Sequence, residues 1–143
     1  MISSELALAL RDAGLRWIPA AGDRFVIPQP EMDGELFTLS EMTIEAREYA
    51  TGTILGFNGT TEWALDSVAK DDALWMPRED QLREHLGSSF VALRRADAGS
   101  EASFQVTTST PTGERTHQAD AASDAYGLAL LAELTGASGD APR

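Results

Sequence analysis

From Arg78 onward the hydrophobic pattern runs in one order: helical, then extended three times, then helical again. That order sets helices against a three-stranded sheet, a layering that many unrelated α+β folds share. Residues 78–86 read as a helix, with Pro77 at its start, Glu79 and Asp80 near the positive end of its dipole, and Gly87 after it. Leu82 and Leu86 form its apolar stripe, and Glu79 stands at pairing distance from Arg83. Residues 90–94, 103–108 and 114–118 read as strands, turning at 97–100 and at Thr110-Pro111-Thr112-Gly113. Connections this short suit antiparallel neighbours, because parallel strands need a long crossover. Asp120 is placed to cap a helix reaching about Leu134, on which Ala121, Ala125, Leu128 and Ala132 make a small-residue stripe suited to packing on a sheet.

The first half is richer in turns. Ser3 is placed to cap a short helix carrying Leu6, Leu10 and Ala13, with Glu5 in its first turn and Gly14 to close it. Strands follow at 24–27, 36–39, 42–49 and 53–57, separated by loop-forming residues 28–34 and by Thr51-Gly52. Asn58-Gly59 is the strongest turn signal, since a two-residue type I′ turn needs positive φ at both positions. Trp63 and Leu65 alternate with Glu62 and Asp66 as a hairpin strand would, and a helix over 61–69 competes. The expected fold is therefore α+β: an N-terminal helix and β-rich lobe, followed by an α-β-β-β-α layer with helices packed on an antiparallel sheet. It is expected as one domain over residues 1–135, with sub-lobes 1–70 and 71–135 and a flexible tail over 136–143.

Composition narrows the function. The chain has no cysteine, which removes disulfides, zinc–thiolate sites, iron–sulfur clusters and thiol nucleophiles. A net charge of −12 is shared evenly between the sequence halves: residues 1–70 hold 11 acidic against 5 basic side chains, and residues 71–143 hold 12 against 6. Such a field disfavours nucleic acid and anionic lipid, whose binding depends on Lys and Arg displacing counterions. It favours solubility and, for a partner, a basic protein. The start of the chain lacks a basic region ahead of an apolar run, and no apolar run reaches the roughly 18 residues of a membrane span. A cytoplasmic protein is expected. Lys70 is the only lysine among 11 basic residues, a usage typical of a GC-rich genome such as an actinobacterial one.

Motifs that would carry chemistry are weak. His85 follows Glu84 at a helix end, and His117 precedes Asp120 and Asp124 by a spacing that suits neither a metal site nor an acid–base pair better than a structural role. Glu31-x-Asp33-Gly34 lacks the flanking carboxylates of a calcium loop. There is no nucleophile elbow and no phosphate-binding loop. A carboxylate-only hydrolase stays open, with no pair of acids singled out. No cofactor and no metal are expected. Trp17, Phe57, Trp63, Trp75 and Tyr126 read mainly as core, and any that are exposed would anchor an interface.

The element order after Arg78 is also that of a double-stranded-RNA-binding domain, but the second helix carries Asp120, Asp124 and Glu133 and no basic residue. Three segments resemble a different family. Gly56-Phe-Asn-Gly-Thr-Thr-Glu-Trp-Ala-Leu-Asp66, Trp75-Met-Pro-Arg-Glu-Asp-Gln-Leu-Arg-Glu-His-Leu86 and Asp124-Ala-Tyr-Gly-Leu-Ala-Leu-Leu131 are similar to those of small actinobacterial proteins that often carry the label "pilus assembly protein CpaE". That resemblance spans most of the chain and implies no particular activity, cofactor or site residue. The residues themselves favour a non-enzymatic module that binds another protein or itself, as a homodimer, with strand 90–94 able to pair across the dimer axis. The alternative is a small-molecule binder or hydrolase with a pocket between the sub-lobes, near Trp63, Trp75 and His117.

Overall fold

Helix α1 (Ser4–Asp12) begins where Ser3 Oγ accepts from Leu6 N at 3.2 Å. It ends at Gly14, whose φ of 111° is open to glycine at little cost. Ala7 and Leu10 are its buried side chains. The computed structural model describes residues 1–28, 35–39, 45–49, 52–56, 67–69, 72–98 and 101–137. Asn58-Gly59, Trp63, the acidic turn around Asp33 and residues 138–143 lie outside them. The architecture is α+β, with three three-stranded antiparallel sheets among the described residues.

Contacts divide the chain into two units, Trp17–Met76 and the remainder, Met1–Arg16 with Pro77–Arg143. α1 thus belongs with the C-terminal elements, and residues 17–76 enter as an insertion between α1 and the next helix. The division also redistributes charge. Residues 17–76 hold 11 acidic against 3 basic side chains, net −8, and the other unit holds 12 against 8, net −4.

In the inserted unit, β1 (Arg24–Val26) pairs antiparallel with both β2 (Leu36–Thr38) and β6 (Leu74–Trp75). A second sheet is formed by β3 (Glu45–Tyr49), β4 (Gly52–Gly56) and β5 (Ser67–Ala69), in that spatial order. β5 is extended where the end of a competing helix over 61–69 would lie. Its register, Gly56↔Ser67, leaves residues 57–66 between the paired ends. The core of this unit gathers Trp17, Phe25, Ile27, Phe37 and Leu39, with Trp75 packed against it. Trp17 stacks on Trp75 at 6.4 Å and 9°, and its Nε1 donates to the buried Asp23 Oδ2 at 2.8 Å. The same oxygen accepts from Ala20 N at 3.0 Å. An unmet indole N–H at this depth would cost about 1–3 kcal/mol, so Asp23 fixes where the tryptophan sits.

In the larger unit, Pro77 and Arg78 precede α2 (Glu79–Leu86), with Arg78 at the N-cap and its N–H donating to Gln81 Oε1 at 2.9 Å. Arg78 Nε donates to Asp80 Oδ1 at 3.0 Å in an ion pair that holds the Asp80 carboxyl below its ordinary pKa. Gly87, at φ 58°, ends the helix and opens a 3₁₀ turn, Gly87–Ser89. β7 (Phe90–Ala98), β8 (Glu101–Thr110) and β9 (Gly113–Ala119) form a meander in which β8 is central. The strands run longer than their apolar runs. Ala98 pairs with Glu101, so β7 runs on past 97, and Thr110 pairs with Gly113 across a tight turn at Pro111-Thr112.

α3 (Ala122–Ala137) closes the unit and extends past Leu134 through Gly136. Ala125 N donates to Ala121 O, so Ala121, rather than Asp120, occupies the cap position. Its buried face holds Ala122, Ala125, Tyr126, Ala129 and Leu130, whereas Leu128 is exposed, so the packed face is rotated from the expected stripe. The helix is apolar nearly all round, because β8 and β9 lie on one side and α1 and α2 on others. α1 approaches closely at Gly127, where a Cβ would lie 2.6 Å from Leu6 Cδ2 and 3.2 Å from Ile2 Cδ1. Ser3 N donates to Asp124 Oδ1 at 2.8 Å beside this contact.

That contact gives a mutation whose sign depends on its neighbour. Gly127→Ala should lose about 1 kcal/mol in urea unfolding, as overpacking of about 2 kcal/mol outweighs a helix-propensity gain of about 1 kcal/mol. In a Leu6→Ala background the same change should stabilise. A loss of equal size in both backgrounds would refute the close approach.

Candidate functional site

Of the four residues singled out by sequence, Trp75 lies in the inserted unit and His117 and Tyr126 in the other. Trp63 lies outside the described residues. Trp75, opposite Phe25 in the β1–β6 pairing, is half-buried and belongs to the core of the inserted unit. Tyr126 is buried in the other unit, its ring 5.7 Å from that of Phe90. Aromatic residues are equally suited to core and interface, and their positions in the sequence do not distinguish the two.

His117 is half-buried on β9, opposite the fully buried Val106. Burial pushes its pKa below the ordinary 6.5, and Arg115 nearby adds repulsion of the same sign. Asp124, a candidate companion, already accepts from Ser3 N. Among the described residues no three His, Asp or Glu side chains group as metal ligands would. His85 is exposed in the last turn of α2.

The feature that stands out is β7. Among the described residues, the sheet order β7-β8-β9 gives β7 one neighbour and makes it an edge strand. α3 lies across β8 and β9. Phe90 reaches Tyr126 under α3, but a register irregularity between Phe90 and Ala92 places Val91 out of the pairing. Each of residues 91–95, Val-Ala-Leu-Arg-Arg, is exposed, whichever face of the sheet it occupies. Val91 retains 47% and Leu93 38% of its accessible surface. By register, Leu93 shares a face with the buried Val106, and Arg94 shares the opposite face with Gln105 and Gln118.

That opposite face is polar and internally satisfied. Thr107 and Thr116 hydroxyls meet at 3.1 Å, and Gln105 Nε2 donates to Gln118 Oε1 at 3.1 Å. Gln118 Nε2 donates to Ser103 Oγ, which donates to Ala96 O. Side chains spent on one another in this way cover the centre of the sheet but not its β7 edge. The edge is also the local exception in charge, since Arg94 and Arg95 are adjacent exposed cations on an acidic chain.

Among the described residues no helix is long and apolar enough to cross a membrane. Comparison with protein-family models, with curated proteins and with solved structures gives no match.

The lowered pKa of His117 has a fixed consequence for stability. A histidine that is harder to protonate when folded leaves the unfolded chain binding more protons. Its effect is absent well above pH 6.5, and stability is lost as pH falls through 6.5 towards the folded value. His117→Gln should therefore flatten the melting temperature between about pH 7 and pH 5 relative to the parent protein. An unchanged slope would show that the ring titrates as freely as in solvent.

Proposed function

We propose that the protein is a cytoplasmic protein-interaction module whose docking element is the exposed strand β7. The observation that carries this reading is the run of five exposed residues, 91–95, on a strand with one neighbour among the described residues. An edge strand offers unpaired N–H and C=O groups, and natural proteins commonly blunt such edges with charge, proline or a covering element. Here Arg94 and Arg95 supply charge, yet Val91 and Leu93 keep apolar surface beside it. A partner strand added to β7 would gain main-chain hydrogen bonds and cover that surface, with side chains at alternate positions giving specificity. The acidic inserted unit, net −8, adds long-range selection for a partner with basic character away from the strand itself.

A photo-reactive residue placed at Leu93 in the producing cell tests this directly. Adducts, to another protein or to a second copy, should exceed by several-fold those from the same residue at Glu84, exposed on α2. Equal yields at the two positions would rule out β7 as the docking element.

A further inference from the structure

The inserted unit holds within itself what a fold needs, and we infer that it is a cooperative unit of its own, one that opens while α1 and the C-terminal elements stay folded. Its core is drawn from its own residues, Trp17, Phe25, Ile27, Phe37 and Leu39, with Trp75 packed against it. The other unit buries a different set, among them Leu10, Leu82, Val106, Tyr126 and Leu130. The ends of the insert are fastened to each other. Trp17 stacks on Trp75 at 6.4 Å, and Met76 N donates to Arg24 O at 2.8 Å. A segment whose ends meet can sit within a loop of a host fold, which is how domain insertions are tolerated. Opening it leaves the host with a longer loop between Arg16 and Pro77, whose entropic cost grows only slowly with length.

The insert is also the unit that opens first. A domain of about 60 residues buries only about 60% of the surface its unfolded chain exposes, so its margin of stability is thin. It carries net −8 against −4 for the longer remainder, and like charge gathered in a small body opposes the compact state. Salt shortens the reach of that repulsion, from about 30 Å at about 0.01 M to about 8 Å at about 0.15 M. Closure of the insert is therefore tuned by ionic conditions, and closure of the unit that bears β7 much less so.

The chain supplies a separate reporter for each unit. All three tryptophans, Trp17, Trp63 and Trp75, lie in the insert, and helices α1, α2 and α3 lie in the other unit. Urea unfolding of the full chain should therefore show the tryptophan fluorescence transition at lower urea than the loss of helical circular dichroism. Raising salt from about 0.01 M to about 0.15 M should move the fluorescence midpoint to higher urea and the helix midpoint by less. Asp23→Ala, which removes the acceptor of the Trp17 indole, should lower the fluorescence midpoint alone. Gly127→Ala should lower the helix midpoint alone. If Asp23→Ala leaves the insert open without urea, the native helix signal must still remain, and its loss overturns the inference. Transitions that coincide in the parent protein and in both variants also overturn it, as does a fluorescence transition at higher urea than the helix one.

Discussion

One helix is about as wide as two strands, and that mismatch shapes this protein. An α-helix with its side chains spans about 10–12 Å, and neighbouring strands lie about 4.7–4.9 Å apart. α3 is the helix laid on a three-stranded sheet, and it covers β8 and β9. β7 is held by hydrogen bonds to β8 and by Phe90 against Tyr126, and beyond the irregularity at Val91 it carries exposed residues on both faces. A second helix over β7 would have buried Leu93. The chain places α2 against α3 instead, where Leu82 and Leu86 are buried.

The same economy explains the connectivity. α3 is too apolar to face water on its outer side, and α1 supplies cover by packing at Gly127. The close approach is pinned by Ser3, which caps α1 with its hydroxyl and reaches Asp124 with its N–H. A contact between the first and last helices tolerates a long excursion between α1 and α2, since loop-closure cost grows only slowly with length. The excursion, Trp17–Met76, has its own core around the Trp17–Asp23 hydrogen bond and carries most of the net charge.

Much of this was legible where local chemistry decides structure. Ser3, Gly14 and Gly87 mark helix ends by cap geometry and positive φ, and the helix–three strands–helix order follows from period and short turns. What failed to read through is set by long-range packing. The buried face of α3 could not be found from an all-apolar helix, because nearly every rotation of it presents a plausible stripe. Asp120 has the chemistry of a cap, but the helix starts one residue later than that role requires. Evenly divided charge by sequence halves hid an uneven division between units, since α1 and its neighbours fold with the distant end. Among the candidate site residues, Trp75 and Tyr126 went to cores that residue type alone cannot exclude. Residues 90–94 were readable as a strand, and the signal of its exposure is apolar and basic residues in succession without strand alternation.

The most direct test of the account is amide hydrogen exchange along the meander of the isolated protein at low-micromolar concentration. At low concentration the outward-pointing amides of residues 91–95 should exchange rapidly while residues 104–108 of β8 stay protected, because only the latter are paired on both sides. Full protection of residues 91–95 would mean that the edge is already covered within one chain, and it would contradict the account.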